Sequence, residues 1–242
     1  MSSLIRLNKF LSQAGVCSRR EADRYLQQGR ISVNGKMVDN LGTKIDPERD
    51  TIEVDGKRVD FIPRKIYLIL NKPPGYLVTL KDPFGRPTVL SLLPRIKDRI
   101  FPVGRLDQDS RGLLLLTNDG ELTVRLSHPR HEIRKVYLVK IRGIPEEAGL
   151  KKIRKGVLLD GRKTAPAEIK KLSEGGSRAL LRVAIHEGRK REIRRLFKII
   201  GVEVEDLQRI QFGPLSLGNL REGEWRRLTQ REVEKLKVAV GL

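Results

Sequence analysis

Cysteine is nearly missing from this sequence: Cys17 is the only one in 242 residues. A single thiol excludes an internal disulfide and any metal site built on several cysteines. Histidine is almost as rare. His128, His131 and His186 are too few and too scattered for a metal cluster, and Pro129 breaks the helical spacing between the first two, which read as loop residues. No metal cluster is expected from these residues. No run approaches the eighteen apolar residues of a membrane span. The opening MSSLIRLNKFLSQAG has neither a long apolar stretch nor a small-residue cleavage pattern, so the chain reads as cytoplasmic. Helix-turn-helix and zinc-finger patterns are missing too, which leaves a DNA-binding role without support.

Negative charge is the other shortage. The chain holds 30 acidic residues against 50 basic ones, a net charge of +20. Heat-tolerant charged surfaces usually balance their signs. An excess of this size instead points to a polyanionic partner, because each phosphate neutralised releases condensed counterions. With 38% hydrophobic and 33% charged residues the chain is expected to fold, and its length suits one sizeable core plus a small satellite domain.

Residues 4–16 carry Leu7, Phe10, Leu11 and Ala14 at the spacing of one helical face. Ser18-Arg19-Arg20-Glu21 fits a capping box that opens a second helix, burying Ala22, Tyr25 and Leu26 and stopping at Gly29. The turn pairs Asn34-Gly35 and Asp55-Gly56 each lie between short β-prone runs, the signature of tight hairpins. Residues 1–60 are therefore expected to form a small module of two helices and hairpins. Residues 1–45 hold eight basic and three acidic side chains, and Arg19, Arg20 and Arg24 share the second helix, with Lys9 and Lys36 near it in sequence. The run RLNKFLSQAGVCSRREADRYLQQGRISVNGKMV, residues 6–38, resembles along its whole length the RNA-binding module first described in small-subunit ribosomal protein S-four. That resemblance implies that helix two and the first hairpin grip structured RNA through Arg19, Arg20, Arg24, Lys9 and Lys36.

Beyond a polar stretch at 60–64 the pattern changes, and residues 65–242 read as a larger α+β domain. Strands are expected at 66–70, 76–79, 112–117, 136–141, 157–159, 169–172 and 178–185. Helices are expected at 121–127, 145–155 and 189–200, with a last one opened by the capping box Thr229-x-x-Glu232. Asn71-Lys72-Pro73-Pro74-Gly75 reads as a turn that ends the first strand. Helices fall among strands without regular alternation, which favours a largely antiparallel sheet.

The least ordinary segment is Gly104-Arg105-Leu106-Asp107-Gln108-Asp109-Ser110-Arg111-Gly112, which opens straight onto Leu113–Leu116. A strand buried on both faces fixes such a loop at its start, and a rigid scaffold presents reactive groups in this way. On the residues alone, Asp107 is either a reactive carboxylate or an ordinary turn acid. Residues 104–120 are similar to the active-site signature of the bacterial ribosomal RNA pseudouridine synthases, with Ser110 where threonine is commoner. Gly188-Arg189-Lys190-Arg191-Glu192-Ile193-Arg194-Arg195 resembles a second motif of that family.

The resemblance implies an enzyme that detaches uracil from its ribose, turns it over and rejoins it through a ring carbon, with no cofactor. Asp107 is then the catalytic carboxylate, attacking the sugar or the ring or removing a ribose proton. Its charge is opposed to burial by an ion pair with Arg194. Tyr137 packs on a uridine turned out of its stack, and Arg105 helps fill the space that the base vacates. Arg189, Lys190 and Arg191 add to the RNA-binding surface, consistent with 39 basic against 21 acidic residues over 61–242. Asp109 reads as a loop residue. The implied partner is ribosomal RNA or an assembly intermediate, met by a monomer, and Asp82–Val89 resembles the large-subunit branch more than the small-subunit one. A non-catalytic RNA-binding or ribosome-assembly factor is the alternative, but pure binding does not call for a buried acid.

Overall fold

The computed structural model of the chain describes residues 4–59, 65–93, 96 and 99–242, so the polar stretch 60–64 lies outside the described residues. The chain divides into two compact units. One is Met1–Lys65 with Ile96–Ile100 and Asn118–Gly120; the other is Ile66–Arg95, Phe101–Thr117 and Glu121–Leu242.

The first unit is built from local signals. After β1 (Ile5–Arg6) come α1 (Leu7–Gln13) and α2 (Arg19–Gln27), then β2 (Ile31–Val33), β3 (Lys36–Met37), β4 (Lys44–Ile45), β5 (Ile52–Val54) and β6 (Lys57–Arg58). The Ser18–Glu21 capping box forms as its spacing requires: Ser18 Oγ accepts from the Glu21 amide at 3.1 Å, and Glu21 Oε2 accepts from the Ser18 amide at 3.4 Å. Asn34 and Asp55 adopt positive φ beside Gly35 and Gly56, which closes the β2–β3 and β5–β6 hairpins. These strands form the antiparallel order β3-β2-β5-β6, while β1 pairs with β4. Leu7, Phe10, Leu11, Ala22, Leu26, Ile31, Ile45 and Ile52 make the core, together with Cys17. Burial pushes the Cys17 thiol up to about 11, so it is a packing group and not a nucleophile.

The second unit is a mixed sheet with helices. Its elements are β7 (Tyr67–Lys72), β8 (Phe101–Pro102), β9 (Arg111–Thr117), α3 (Gly120–Ser127), β10 (Lys135–Arg142), α4 (Glu147–Lys155), β11 (Leu158–Leu159) and β12 (Arg162–Lys163). They continue with β13 (Glu168–Gly175), β14 (Arg178–Ile185), α5 (Glu192–Ile199), β15 (Glu203–Phe212), β16 (Leu215–Ser216), β17 (Trp225–Arg227) and α6 (Gln230–Val238). The main sheet runs β13-β14-β10-β15-β9-β7-β17, with β16 on β15 and β8 on β9. All its pairings are antiparallel except β9 with β15. Leu113, Leu114, Leu115 and Leu116 are all fully buried, so both faces of β9 are covered, and each leucine contributes roughly 1.5–3 kcal/mol.

Gly112 is what allows the parallel pair to close. It sits at φ +106°, and a Cβ there would lie 2.3 Å from the Arg209 carbonyl oxygen and 2.7 Å from its amide nitrogen.

Three expectations change. No strand forms at 76–79; a single bridge joins Leu77 to Thr88, in a segment whose prolines at 73, 74, 83 and 87 have no amide to give a ladder. The first strand of this unit does not stop before Asn71 but runs through Lys72. The helix expected from Arg189 begins at Glu192, because Arg191 takes a left-handed conformation at φ +50° in the position before it.

Candidate active site

Residue pairing across the sheet brings the site together. Lys72 lies opposite Gly112, Gly112 opposite Arg209, and Arg209 opposite Tyr137, so four strands contribute one transverse row. The loop 104–110 leads into the start of β9, next to Gly112 of this row. It borders a cleft of about 1050 Å³, whose lining includes Asp107, Ser110, Lys135, Tyr137, Arg209 and Phe212.

Lys72 holds the loop in place. Its side chain is fully buried, and Nζ donates to the carbonyl oxygens of Ser110 at 2.7 Å, Pro73 at 3.0 Å and Gln108 at 3.2 Å. Gly75 and Gln108 add two more links: the Gly75 amide donates to Gln108 O at 2.8 Å, and Gln108 Nε2 donates to Gly75 O at 3.1 Å. Burial lowers the Lys72 ammonium to about 8, with the charges of Asp109 and Asp107 acting against it. The sequence reading passed over this residue because two prolines follow it and the whole stretch looked like a turn. Its one visible signal was a lysine at the end of an apolar strand.

Asp107 is half-buried and lines the cleft, and among the described residues no cation stands within 4.0 Å of its carboxylate. The ion pair expected between Asp107 and Arg194 is replaced by another. Arg194 Nε is 3.3 Å from Asp109 Oδ2, its Nη2 donates to Asp109 O at 3.2 Å, and its Nη1 donates to Val204 O at 2.7 Å. Arg191 joins the same carboxylate in a fork, with Nη1 and Nη2 at 3.0 and 2.9 Å from the two Asp109 oxygens. The late start of α5 places both arginines against residue 109 and not 107. Burial pushes the Asp109 carboxyl up, but the bonds from Arg191 and the charges of Arg194 and Arg191 outweigh it and leave Asp109 below the ordinary carboxylate range. Asp109 is thus more than a loop residue: it anchors loop 104–110 to α5 and leaves Asp107 unpaired.

Tyr137 is only 7% exposed and lines the cleft from β10. Burial raises its phenol pKa, while the Arg209 guanidinium beside it acts the other way. Lys135, two residues earlier, donates to the carbonyls of Ile133 and Glu187 at 3.1 Å each, and burial followed by the Arg209 charge lowers it to about 8. Arg105 is exposed at the cleft.

The basic residues assigned to RNA fall into two groups. Arg19, Arg20, Arg24 and Lys36 are exposed and Lys9 is half-exposed, none with an ion pair among the described residues. Lys190 is exposed at the cleft. Arg189 does not belong with them. Its guanidinium pairs with Glu187 at 2.5 Å and donates to the carbonyls of Leu159, Arg162 and Lys163 at 3.2, 2.9 and 2.7 Å, so it ties down the β11–β12 hairpin. Arg191 is likewise committed to Asp109. The Asp82–Val89 segment is a built loop: Asp82 accepts from the Phe84 and Arg86 amides at 3.1 and 2.9 Å and pairs with Arg86, whose guanidinium lies 5.2 Å from the Phe84 ring centre. Among the described residues no group of three or more His, Cys, Asp or Glu stands together to hold a metal, and no helix is long and apolar enough to cross a membrane.

An unpaired carboxylate in a large cleft, with buried cations on its floor, is the arrangement of an enzyme acting on an anionic polymer. Residues 66–198 match the family described as RNA pseudouridylate synthase, and residues 5–52 match the S4 domain. The chain is 46% identical over 239 residues to an RNA pseudouridine synthase of Aquifex aeolicus, covering 98% of this chain and 96% of that protein. It is 43% identical over 234 residues to ribosomal large subunit pseudouridine synthase B of Bacillus subtilis, covering 96% and 95%. A solved pseudouridylate synthase superposes with a TM-score of 0.69 at 32% identity, over 96% of this chain and 99% of that one. The chain belongs to the RNA pseudouridine synthase family.

Proposed function

We propose that this protein converts one or more uridines of ribosomal RNA to pseudouridine, with Asp107 as the catalytic carboxylate acting on a uridine turned out of its helix. The reaction breaks the bond from uracil N1 to C1′ and makes one from C5 to C1′; the C5 hydrogen leaves and N1 gains a proton. The observation that carries this reading is the state of Asp107: half-buried, in the cleft, unpaired among the described residues, and within the fields of Lys72 and Arg191. A carboxylate already locked in an ion pair would have to be released before it could attack a sugar or a ring or take a proton. Tyr137 offers a ring for the extruded base, and exposed Arg105 is free to enter the gap left in the RNA. The large-subunit name of the Bacillus subtilis relative favours large-subunit RNA as the substrate. The N-terminal unit, with its unpaired surface arginines, would dock that RNA through phosphates.

Tritium release from rRNA labelled at uridine C5 tests the assignment. The wild-type protein is expected to release tritium and Asp107→Asn to release none above background while binding the same RNA. Equal release from both would remove Asp107 from the chemistry. Binding without release from either would leave an RNA-binding factor in place of an enzyme.

A further inference from the structure

Arg209 is a buried cation that the reaction as described leaves unused. It is 2% exposed, its guanidinium carbon lies 5.2 Å from the Phe212 ring centre, and its Nε donates to Leu113 O at 2.7 Å. Its Nη2 is buried with no hydrogen-bond partner among the described residues, and the side chain lines the cleft. No carboxylate within 4.0 Å neutralises it among those residues. Burying a charged donor without a partner is costly, and a native protein that keeps one has a reason for it, of which an absent ligand is one.

A second unfilled group lies in the same cleft. Ser110 is 1% exposed, and its Oγ also has no partner among the described residues. Two buried polar atoms, unsatisfied among the described residues and lining one cleft, mark a place shaped for a polar ligand. Phosphate does not suit it, since the cleft also carries the unpaired Asp107, and the guanidinium lies against the Phe212 ring and beside the Tyr137 phenol. A neutral planar group with carbonyl oxygens does suit it: the ring meets Tyr137, and an oxygen reaches Nη2.

We propose that Arg209 Nη2 donates a hydrogen bond to a carbonyl oxygen, O2 or O4, of the uracil in the cleft, and so selects and steadies the base while its glycosidic bond is exchanged. The proposal rests on the pseudouridine-forming reading above. The register makes the geometry specific. Arg209 pairs with Tyr137 on one side and with Gly112 on the other, so the recognising group is set by the strand row that also fixes the start of the Asp107 loop. As the detached ring turns, its two oxygens are the only acceptors it keeps throughout. A donor fixed in the floor holds the free base without blocking its rotation.

The test uses the full-length protein and an rRNA transcript from which the wild type releases tritium, with 2-thiouridine or 4-thiouridine placed at the reacting position. Sulfur accepts a hydrogen bond poorly. In single-turnover reactions the wild type should slow at least about tenfold on one of the two thio substrates, and the affected position names the oxygen. Arg209→Lys and Arg209→Met should be slow on uridine but show no added loss on that same thio substrate, with RNA affinity and its salt dependence unchanged. If the wild type turns over both thio substrates at the uridine rate, the proposal falls, whether or not the variants fold. It falls equally if the variants carry the same thio penalty as the wild type. No tritium release by the wild type from any rRNA transcript would instead overturn the parent reading and take this one with it, whereas Asp107→Asn losing release while the thio substrates show no effect would sink Arg209 alone.

Discussion

The two units use the same residue types in opposite ways. In the N-terminal unit arginines stay outside: Arg19, Arg20 and Arg24 are exposed and unpaired on α2, and the fold beneath them is held by caps and tight turns between residues close in sequence. In the larger unit several cations are drawn inward. Lys72, Lys135 and Arg209 are buried or nearly so, Arg191 and Arg194 grip Asp109, and Arg189 is spent on main-chain carbonyls. Net charge therefore says little about how a basic residue works. Outside, it is free to meet a polyanion and release counterions; inside, it shapes a loop.

The comparison can be broken most forcefully at Gly112. Gly112→Ala should cost roughly 3 kcal/mol or more, read as the loss in urea-unfolding free energy, since the methyl meets backbone atoms of Arg209 at a positive φ. A loss below 1 kcal/mol would mean that β9 and β15 can part cheaply.

Lys72→Met comes next. Removing the ammonium frees three carbonyls and should lower the single-turnover rate about 100-fold, with RNA affinity little changed. The pH dependence has a definite sign. The folded-state pKa of Lys72, like that of Lys135, lies near 8 and below the ordinary lysine value of 10.5, so between those values the unfolded chain holds more protons than the folded one. Burial of these two groups therefore destabilises the fold fully below pH 8, and the penalty is relieved as pH rises towards 10.5. Lys72→Met should show a flatter rise over that window in chemical-denaturation midpoints.

The outward cations should behave differently. Replacing Arg19, Arg20 and Arg24 together by Ala is expected to weaken RNA binding about tenfold and to reduce the salt slope of binding by up to about 2.7, with the rate at saturating RNA unchanged. A fall in that rate would show that the surface arginines do more than dock. The smallest effect should be Ser18→Ala, about 1 kcal/mol of stability from the lost cap, measured by thermal unfolding.

The same contrast decides what could be read from the sequence. Both capping boxes, both Gly-containing hairpins and the doubly buried Leu113–Leu116 strand are written in neighbouring residues, and each formed. The motif around Asp107 pointed to a loop that does border the cleft. The strand Glu203–Phe212 was not legible, because acids and Arg209 interrupt its apolar residues and its partners lie about 70 and 95 positions away. The pairing of Arg191 and Arg194 with Asp109 was missed for a related reason. Spacing along a helix says which residues share a face, but not whether that face meets residue 107 or residue 109.

Lys72 ends on a matter of loop length. One ammonium measures the distance to carbonyls from two separate turns, Pro73 just past its own strand and Gln108 and Ser110 just before β9. An insertion or deletion in either turn would leave at least one oxygen out of reach, so neither can change length alone. Variation in this protein's reach towards its RNA must then come from segments outside that clasp, such as the Asp82–Val89 loop, while the carbonyls of Pro73, Gln108 and Ser110 stay fixed around one ammonium.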